Sequence, residues 1–335
     1  MKRRLFLQSG SAAAVAAALT ACGGGGGGAA GEVAGAADGA AIASGAAVDA
    51  SAAAQPVPVT AVGLPARILG CYYTAWDMGT YKITDVPADF NVVYLFHAKP
   101  SGSAVNGSWN NVGDGSFMFE FFSDVSAADV QACRARGQKV VLTVGGSQAG
   151  YAWDNRTKSQ NFVASFKGIV EQLGGVDGID FNNSEGTIVT SANVQAVSTE
   201  MVWIAQQLRV AYGPDFAITS PAGATGTTQE DLMLALKKAG VLTYAAPQNY
   251  DWVGFNEPGY IKKVTDIWCS LLGESFVGVG LSANYSNGPS LSDCRREWAA
   301  IKAAHPDIRG MFCWSAQTNL NGGNTWGRTM KAALA

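Results

Sequence analysis

Short apolar runs rich in β-branched and aromatic residues recur along the chain, with stretches of helical spacing between them. Eight such runs occur, at residues 67–73, 91–96, 139–146, 176–182, 216–221, 244–250, 276–281 and 310–315. Several are apolar almost throughout, which is typical of parallel strands buried on both faces. Helical patterns cover residues 126–136, 161–173, 191–212, 229–239 and 292–304, and glycine or His-Pro follows each.

Eight strands that alternate with helices over about 250 residues predict a (β/α)8 barrel. An open doubly wound sheet is the alternative. No predicted strand is followed by the Gly-x-Gly-x-x-Gly turn that such a sheet uses to bind dinucleotides, and the glycine run at 23–28 has no strand before it. The barrel is therefore the favoured fold.

The first 65 residues differ in composition from the rest. Residues 1–21 have twin arginines and then an apolar run, 12–19, which is far shorter than the roughly 20 residues of a membrane span. Leu19-Thr20-Ala21-Cys22 resembles the lipobox of bacterial lipoproteins, although an ordinary cleaved signal with a chance cysteine is the alternative. Residues 22–65 have too little apolar bulk to pack and predict a flexible tether.

This arrangement predicts an exported protein. We expect it to be anchored to the bacterial cell envelope, at the outer membrane or cell surface, through a lipid on Cys22, or else to be secreted. Residues 66–335 then form one barrel domain, which meets the membrane only through that lipid. We expect the domain to be a monomer.

Composition excludes several functions. The net charge is −3, and no basic run in residues 66–335 is longer than a pair such as Lys262-Lys263 or Arg295-Arg296, so we expect no nucleic-acid partner. With two histidines and no close Cys/His cluster, we expect no metal and no cofactor. An exported protein can form disulfides, but spacing cannot say whether the five cysteines after Cys22 are paired or are buried thiols.

The segment 177–186, Asp-Gly-Ile-Asp-Phe-Asn-Asn-Ser-Glu-Gly, is the most informative part of the predicted domain. Asp180, Asn182 and Ser184 fall at every second position, so they would point to one side of a strand. Such polar groups are costly to bury without partners, which indicates that they line a cleft. Glu185 falls in the opposite phase.

In a barrel the functional side chains lie at the carboxyl ends of the strands. The residues at those predicted ends are Tyr72, Tyr73, Trp76, His97, Thr143, Gly145, Gly146, Asp180, Asn182, Glu185, Ser220, Gln248, Tyr250, Asp251 and Trp314. Aromatic rings together with amides and carboxylates are typical of carbohydrate sites. We expect Tyr94, Phe96 and Phe312 to pack in the core instead.

These motifs, in this order, resemble those of the family 18 glycoside hydrolases, which include chitinases and endo-β-N-acetylglucosaminidases. The resemblance spans residues 66–335. It rests on these segments: 72–76 (Tyr-Tyr-Thr-Ala-Trp), 142–146 (Leu-Thr-Val-Gly-Gly), the 177–186 segment, 248–250 (Gln-Asn-Tyr) and 310–315. It implies a (β/α)8 barrel that acts on β-1,4-linked N-acetylglucosamine.

The resemblance also implies roles for individual residues. In the family a single glutamic acid protonates the leaving oxygen and the substrate's own N-acetyl oxygen attacks the anomeric carbon, which is an exception to the two-carboxylate rule. Here Glu185 would be that acid and Asp180 would keep the inner carboxylate position. Tyr250 would donate to the acetamide carbonyl. The substrate-binding residues would be Tyr72, Thr143, Gln248, Asp251 and Trp314.

The sequence departs from the family pattern Asp-x-x-Asp-x-Asp-x-Glu, because Asn182 and Ser184 replace its last two acidic positions. In one hypothesis a one-residue bulge brings Glu185 into the acid position, and Asn182 accepts from the acetamide N–H in a slower enzyme. In the other, Ser184 occupies the acid position and the protein is a glycan-binding lectin. A purely structural surface lipoprotein is a third hypothesis, which the polar strand ends oppose.

We favour the enzyme, because Glu185 directly precedes Gly186, as the acid does in the family. The glycan would be chitin, a chitooligosaccharide, the chitobiose core of an N-glycan, or peptidoglycan.

Overall fold

The structure is a computed structural model that describes residues 63–76, 80–182, 188–223, 227–251, 254–283 and 288–335. The predicted signal, most of the tether and Cys22 lie outside the described residues. No helix in the described part of the chain has the length and apolar character needed to cross a membrane.

Eight parallel strands form the barrel, and each corresponds to one predicted run. They are β1 (Ile68–Thr74), β2 (Val92–Pro100), β4 (Lys139–Gly145), β5 (Gly178–Asn182), β6 (Ala217–Ser220), β7 (Tyr244–Ala245), β8 (Gly278–Ser282) and β9 (Gly310–Trp314). Their order is β7-β6-β5-β4-β2-β1-β9-β8. Parallel bridges from Ala245 to Val277 and from Gln248 to Gly280 close the ring. The predicted barrel is confirmed, and the open sheet is excluded.

Two strands differ from the prediction. The sixth run was expected to be a strand over 244–250, but β7 has two residues. Pro247 has no N–H to donate, and beyond it the backbone pairs through single hydrogen bonds, such as Gly280 N to Pro247 O at 2.9 Å. The second run continues past a bulge to Pro100, where it pairs antiparallel with a short strand, β3 (Phe117–Met118).

The described helices are α1 (Ala127–Ala135), α2 (Arg156–Gln172), α3 (Val194–Tyr212), α4 (Thr227–Lys238), α5 (Tyr260–Leu272), α6 (Leu291–Ala304), α7 (Ala316–Asn321) and α8 (Thr325–Leu334). Five match predicted helices. α2 begins five residues before its predicted start because the Asn155 side chain caps it, accepting from Lys158 N. The prediction lacked α5, α7 and α8. The N-cap of α5 is Gly259, which makes no side-chain cap, so the usual start signal is absent.

The apolar core has two layers. Alternate strand residues point outward and pack under the helices, as Ile179 and Phe181 do. The inner layer is largely aromatic and consists of Ile68, Tyr72, Val92, Tyr94, Phe96, Val141, Tyr244, Ala246, Tyr250 and Phe312. Tyr94, Phe96 and Phe312 are thus buried, as predicted.

Inward-facing glycines make room for these rings. A β-carbon at Gly70 would lie 2.6 Å from Cε2 of Tyr94, and one at Gly280 would overlap Phe312.

The five cysteines of the described chain, Cys71, Cys133, Cys269, Cys294 and Cys313, are buried free thiols. Of the two alternatives left open by the sequence, the structure thus has the unpaired one.

Candidate active site

Strand β5 directs its polar residues to the barrel interior at the carboxyl end. Asp180 and Asn182 are 1% and 2% exposed, and they alternate with the outward-facing Ile179 and Phe181. The predicted two-residue period is therefore present as far as Asn182. Residues 183–187, which include Ser184 and Glu185, lie outside the described residues. The predicted bulge falls within the same five residues.

Asp177 begins the acidic segment but lies at the opposite end of the barrel. It is fully buried, and its carboxylate accepts from Arg134 Nη2 at 3.1 Å and from the Val140 backbone N–H at 3.0 Å. It therefore ties α1 and β4 to the start of β5, and it takes no part in the mouth.

The Asp180 carboxylate accepts three hydrogen bonds from hydroxyl groups on other strands. Tyr72 donates to Oδ2 at 2.7 Å, Thr143 to Oδ2 at 3.1 Å and Thr219 to Oδ1 at 2.7 Å. The predicted residues Tyr72, Thr143 and Asp180 are thus brought together. Thr219 was not predicted.

Thr219 could have been found from its place on the strand. Ser220 was expected to face the mouth from β6, but its hydroxyl donates to the Phe181 carbonyl at 2.7 Å. The register pairs Asp180 with Thr219, which puts the threonine side chain on the inner face. The signal that was available is the two-residue period of β6, which makes either Thr219 or Ser220 face inward, but not both.

Burial determines the protonation of this group. The loss of water raises the pKa of Asp180 from 3.8 to about 6, although the hydrogen bonds from Thr219, Tyr72 and Thr143 act in the opposite direction. Burial and the neighbouring Asp180 also raise the pKa of Tyr72 well above its ordinary value. Tyr72 therefore remains a hydroxyl donor, while Asp180 changes charge near neutral pH.

Aromatic rings surround this cluster. Tyr72 stacks on Tyr94, with ring centroids 4.7 Å apart, and contacts Phe312 edge-on at 4.9 Å and Trp314 at 5.6 Å. Above them, Trp76 is 48% exposed and lies 6.3 Å from Trp314. The predicted residue Trp314 thus joins the buried rings to an exposed indole.

Tyr250 and Gln248 form a pair on the opposite side of the mouth. The Tyr250 hydroxyl donates to Gln248 Oε1 at 2.8 Å, and Gln248 Nε2 donates to the Pro221 carbonyl at 2.9 Å. Gln248 therefore orients the hydroxyl of Tyr250. Tyr250 also contacts Phe312, with centroids 6.3 Å apart, so it is close to the Tyr72 ring system. Asp251 follows as an exposed residue with a φ of +66°.

The backbone at the end of β4 makes hydrogen bonds to both neighbouring strands, β2 and β5. Gly146 N donates to the Asn182 carbonyl at 2.8 Å. Its φ is +116°, and a β-carbon there would lie 2.5 Å from the Phe96 ring, so the position requires glycine. In the described part of the chain, no group of three His, Cys, Asp or Glu residues could hold a metal ion.

Comparison with known proteins gives matches among solved structures. No family model and no curated protein matches the chain. A chitinase A from Streptomyces coelicolor superposes with a TM-score of 0.67 at 20% identity, over 80% of this chain and 98% of that one. A GH18 chitinase from Chromobacterium violaceum has a TM-score of 0.64 at 19% identity, over 85% and 91%.

The protein has the fold of the family 18 chitinases. A third structure, YKL-39 in the presence of chitooligosaccharides, has a TM-score of 0.61 at 11% identity, over 80% of this chain and 99% of that one. At these identities the likeness establishes the fold that the sequence motifs predicted.

Proposed function

We propose that the protein is a family 18 glycoside hydrolase that cleaves β-1,4-linked N-acetylglucosamine with retention of configuration. The observation that carries this proposal is the buried Asp180 at the barrel mouth, held by hydroxyls from β1, β4 and β6. A carboxyl group in such a position costs free energy of folding. A polar cluster of this kind is expected where charge develops during a reaction.

In the proposed reaction Glu185 gives its proton to the glycosidic oxygen as the bond from that oxygen to the anomeric carbon breaks. The acetamide oxygen of the same sugar forms the new bond to the anomeric carbon. Asn182 accepts from the acetamide N–H, and Tyr250 donates to the acetamide oxygen. Water then attacks the anomeric carbon, opens the cyclic intermediate and returns a proton to Glu185.

The aromatic side of the mouth supports a sugar ligand. Trp314 and Trp76 present indole rings next to hydrogen-bonding groups, which is the combination that pyranose rings require. The chitooligosaccharides in the YKL-39 structure support a glycan that contains N-acetylglucosamine. Chitin, its oligosaccharides, the N-glycan core and peptidoglycan all share that sugar.

A specific observation favours the lectin as a second candidate. Asn182, the inward residue nearest the unassigned acid position, carries no charge, whereas the family pattern has a carboxylate there. Replacing a charge by an amide weakens the contact with a cationic intermediate by about 2–3 kcal/mol, or roughly 30- to 150-fold in rate. A binding site has no such intermediate to stabilise.

The test is hydrolysis of chitotetraose and of a high-mannose glycopeptide, followed by mass spectrometry, with the wild type beside Glu185→Gln. Cleavage that disappears in the variant supports the enzyme with Glu185 as its acid. Retention of the sugar without cleavage by either protein supports the lectin. If the sugar is neither cleaved nor retained, both hypotheses are refuted.

We also propose that the chain is exported and anchored to the cell envelope as a monomer with a lipidated Cys22. Feeding cells an alkyne fatty acid should label the wild type, and Cys22→Ser should abolish the label. Equal labelling of both proteins, or of neither, would contradict the anchor. Sedimentation of the detergent-solubilised protein tests the monomer.

A further inference from the structure

A second polar group lies at the mouth, within the bulge of β2 between Leu95 and Ala98. It is His97, whose imidazole is partly buried and stacks on Phe96, with centroids 4.3 Å apart and planes within 8°. The exposed ring of Trp76 lies 5.6 Å away. Nothing in the proposed reaction uses this histidine.

The contact of His97 with Gly145 fixes the tautomer of the imidazole. His97 Nδ1 is hydrogen-bonded to the Gly145 carbonyl, which can only accept, so Nδ1 must carry the hydrogen. In the neutral ring Nε2 is then a bare acceptor. The structure shows no partner for Nε2 among the described residues. The contact to Gly145 also fixes the direction in which Nε2 points.

The pKa of His97 also favours the neutral ring, in which Nε2 is an acceptor. Burial lowers the pKa of His97 to about 4, and the Lys99 ammonium group acts in the same direction, whereas the Gly145 hydrogen bond and Glu120 oppose it. Lys99 is itself held in place, 3.7 Å above the Trp109 ring and 2.5 Å from Glu120. The ring is therefore neutral at the pH values at which the protein would act.

The backbone at Gly145 and Gly146 packs closely against the imidazole of His97. A β-carbon at Gly146 would lie 3.2 Å from Nδ1, and Gly146 N is hydrogen-bonded to Asn182. His97 is thus joined through Gly145 and Gly146 to the strand that carries Asp180. A partly buried acceptor in the mouth can pair with water in the free protein and with a donor of the ligand in the complex. Sugar hydroxyls are donors.

We propose that His97 is a glycan-binding residue whose Nε2 accepts a hydrogen bond from a hydroxyl of the sugar unit next to Trp76. This inference rests on the proposed function, because it needs a glycan in the mouth. It adds a fixed acceptor that selects the position of one hydroxyl group. A purely structural histidine would need the stacking and the Gly145 contact but not a free Nε2.

The test measures the affinity of chitotetraose by calorimetry in the full-length chain with Glu185→Gln, so that the sugar is not consumed. His97→Phe keeps a ring that can stack on Phe96 but removes both nitrogens. His97→Gln places an amide oxygen near the position of Nε2. Both variants lose the ring N–H to Gly145, so a fall in Tm shared by both measures the structural role.

We expect His97→Phe to weaken binding about five- to tenfold, the effect of one lost neutral hydrogen bond, and His97→Gln to stay within about twofold of the parent. Unchanged affinity in His97→Phe, or equal losses in both variants, would overturn the inference while leaving the proposed function intact. If the parent does not bind chitotetraose, the proposed function fails, and this inference fails with it.

Discussion

At the scale of single residues, Asp180 is the group on which the site depends. Its carboxylate accepts three hydroxyl hydrogen bonds, one each from β1, β4 and β6. It lies on the inner face of β5 with Asn182, the residue that would contact the acetamide in the proposed reaction.

Replacing Asp180 by Asn tests its part in the reaction. We expect Asp180→Asn to reduce chitotetraose hydrolysis by more than about tenfold, because the neutral amide cannot stabilise positive charge at the anomeric carbon. Thr219→Val is the matched control, because it removes one donor and keeps the shape, and it should cost less. An unchanged rate in Asp180→Asn would remove Asp180 from the mechanism.

The same carboxyl group should make stability depend on pH. Its pKa is about 6 in the folded protein and 3.8 ordinarily, so the folded state binds more protons between these values. Stability therefore falls as pH rises from about 4 to about 6, and Asp180 contributes about 2–3 kcal/mol to that fall.

Urea unfolding of the wild type and of Asp180→Asn at pH 4, 5, 6 and 7 measures this contribution. The difference in unfolding free energy between the two proteins isolates Asp180 from the other titrating groups. As pH rises, the unfolding free energy of Asp180→Asn should increase relative to that of the wild type. A difference that is constant across this range would show that the folded-state pKa is not raised.

At the scale of elements, the inner layer combines aromatic rings with glycines on facing strands. Gly280 on β8 lies against Phe312 on β9, and a β-carbon there would also be 2.6 Å from the Pro247 carbonyl oxygen. Ring and glycine positions are therefore complementary, and the barrel interior has no room for additional carbon atoms there.

We expect Gly280→Ala to destabilise the protein by about 1–3 kcal/mol, because the methyl group must displace a packed ring or strand. Gly168→Ala is the matched control. Gly168 lies within α2, where a β-carbon would meet nothing within 4 Å, so alanine should stabilise by about 0.5–1 kcal/mol. Thermal unfolding of both variants measures the contrast, and equal effects of the same sign would contradict it.

At the scale of the whole molecule, the barrel of a chain that we propose to be exported contains five buried free thiols. Burial raises the pKa of Cys71 and Cys313 well above the ordinary value and that of Cys269 and Cys294 to about 12. Burial also raises the pKa of Cys133. The thiolate, which is the reactive form, is therefore scarce in the folded state.

We expect iodoacetamide to leave these five cysteines unlabelled in the native protein and to label all of them in guanidinium chloride. Peptide mapping by mass spectrometry distinguishes them from Cys22. Rapid native labelling of Cys71 or Cys313, which lie opposite each other on β1 and β9, would show that the barrel opens there.

Local patterns in the sequence were sufficient for several parts of this structure. The alternation of apolar runs and helical spacing predicted the barrel, and the two-residue period of 180–182 predicted two inward polar residues. These features depend on near neighbours along the chain, which share one strand or one helix. The missed helix α5 also has its pattern in the sequence, but its glycine N-cap provides no start signal.

The partners of those residues were decided by the tertiary structure. Thr219 instead of Ser220 meets Asp180 because the register between β5 and β6 places it there, and a shift of one residue would exchange the two. The sequence placed His97 at the end of a strand, but only its contact with the Gly145 carbonyl fixes the tautomer that leaves Nε2 as an acceptor. Such pairings join residues 39 and 48 positions apart. The pairing and register of neighbouring strands set these contacts, and no local pattern carries that information.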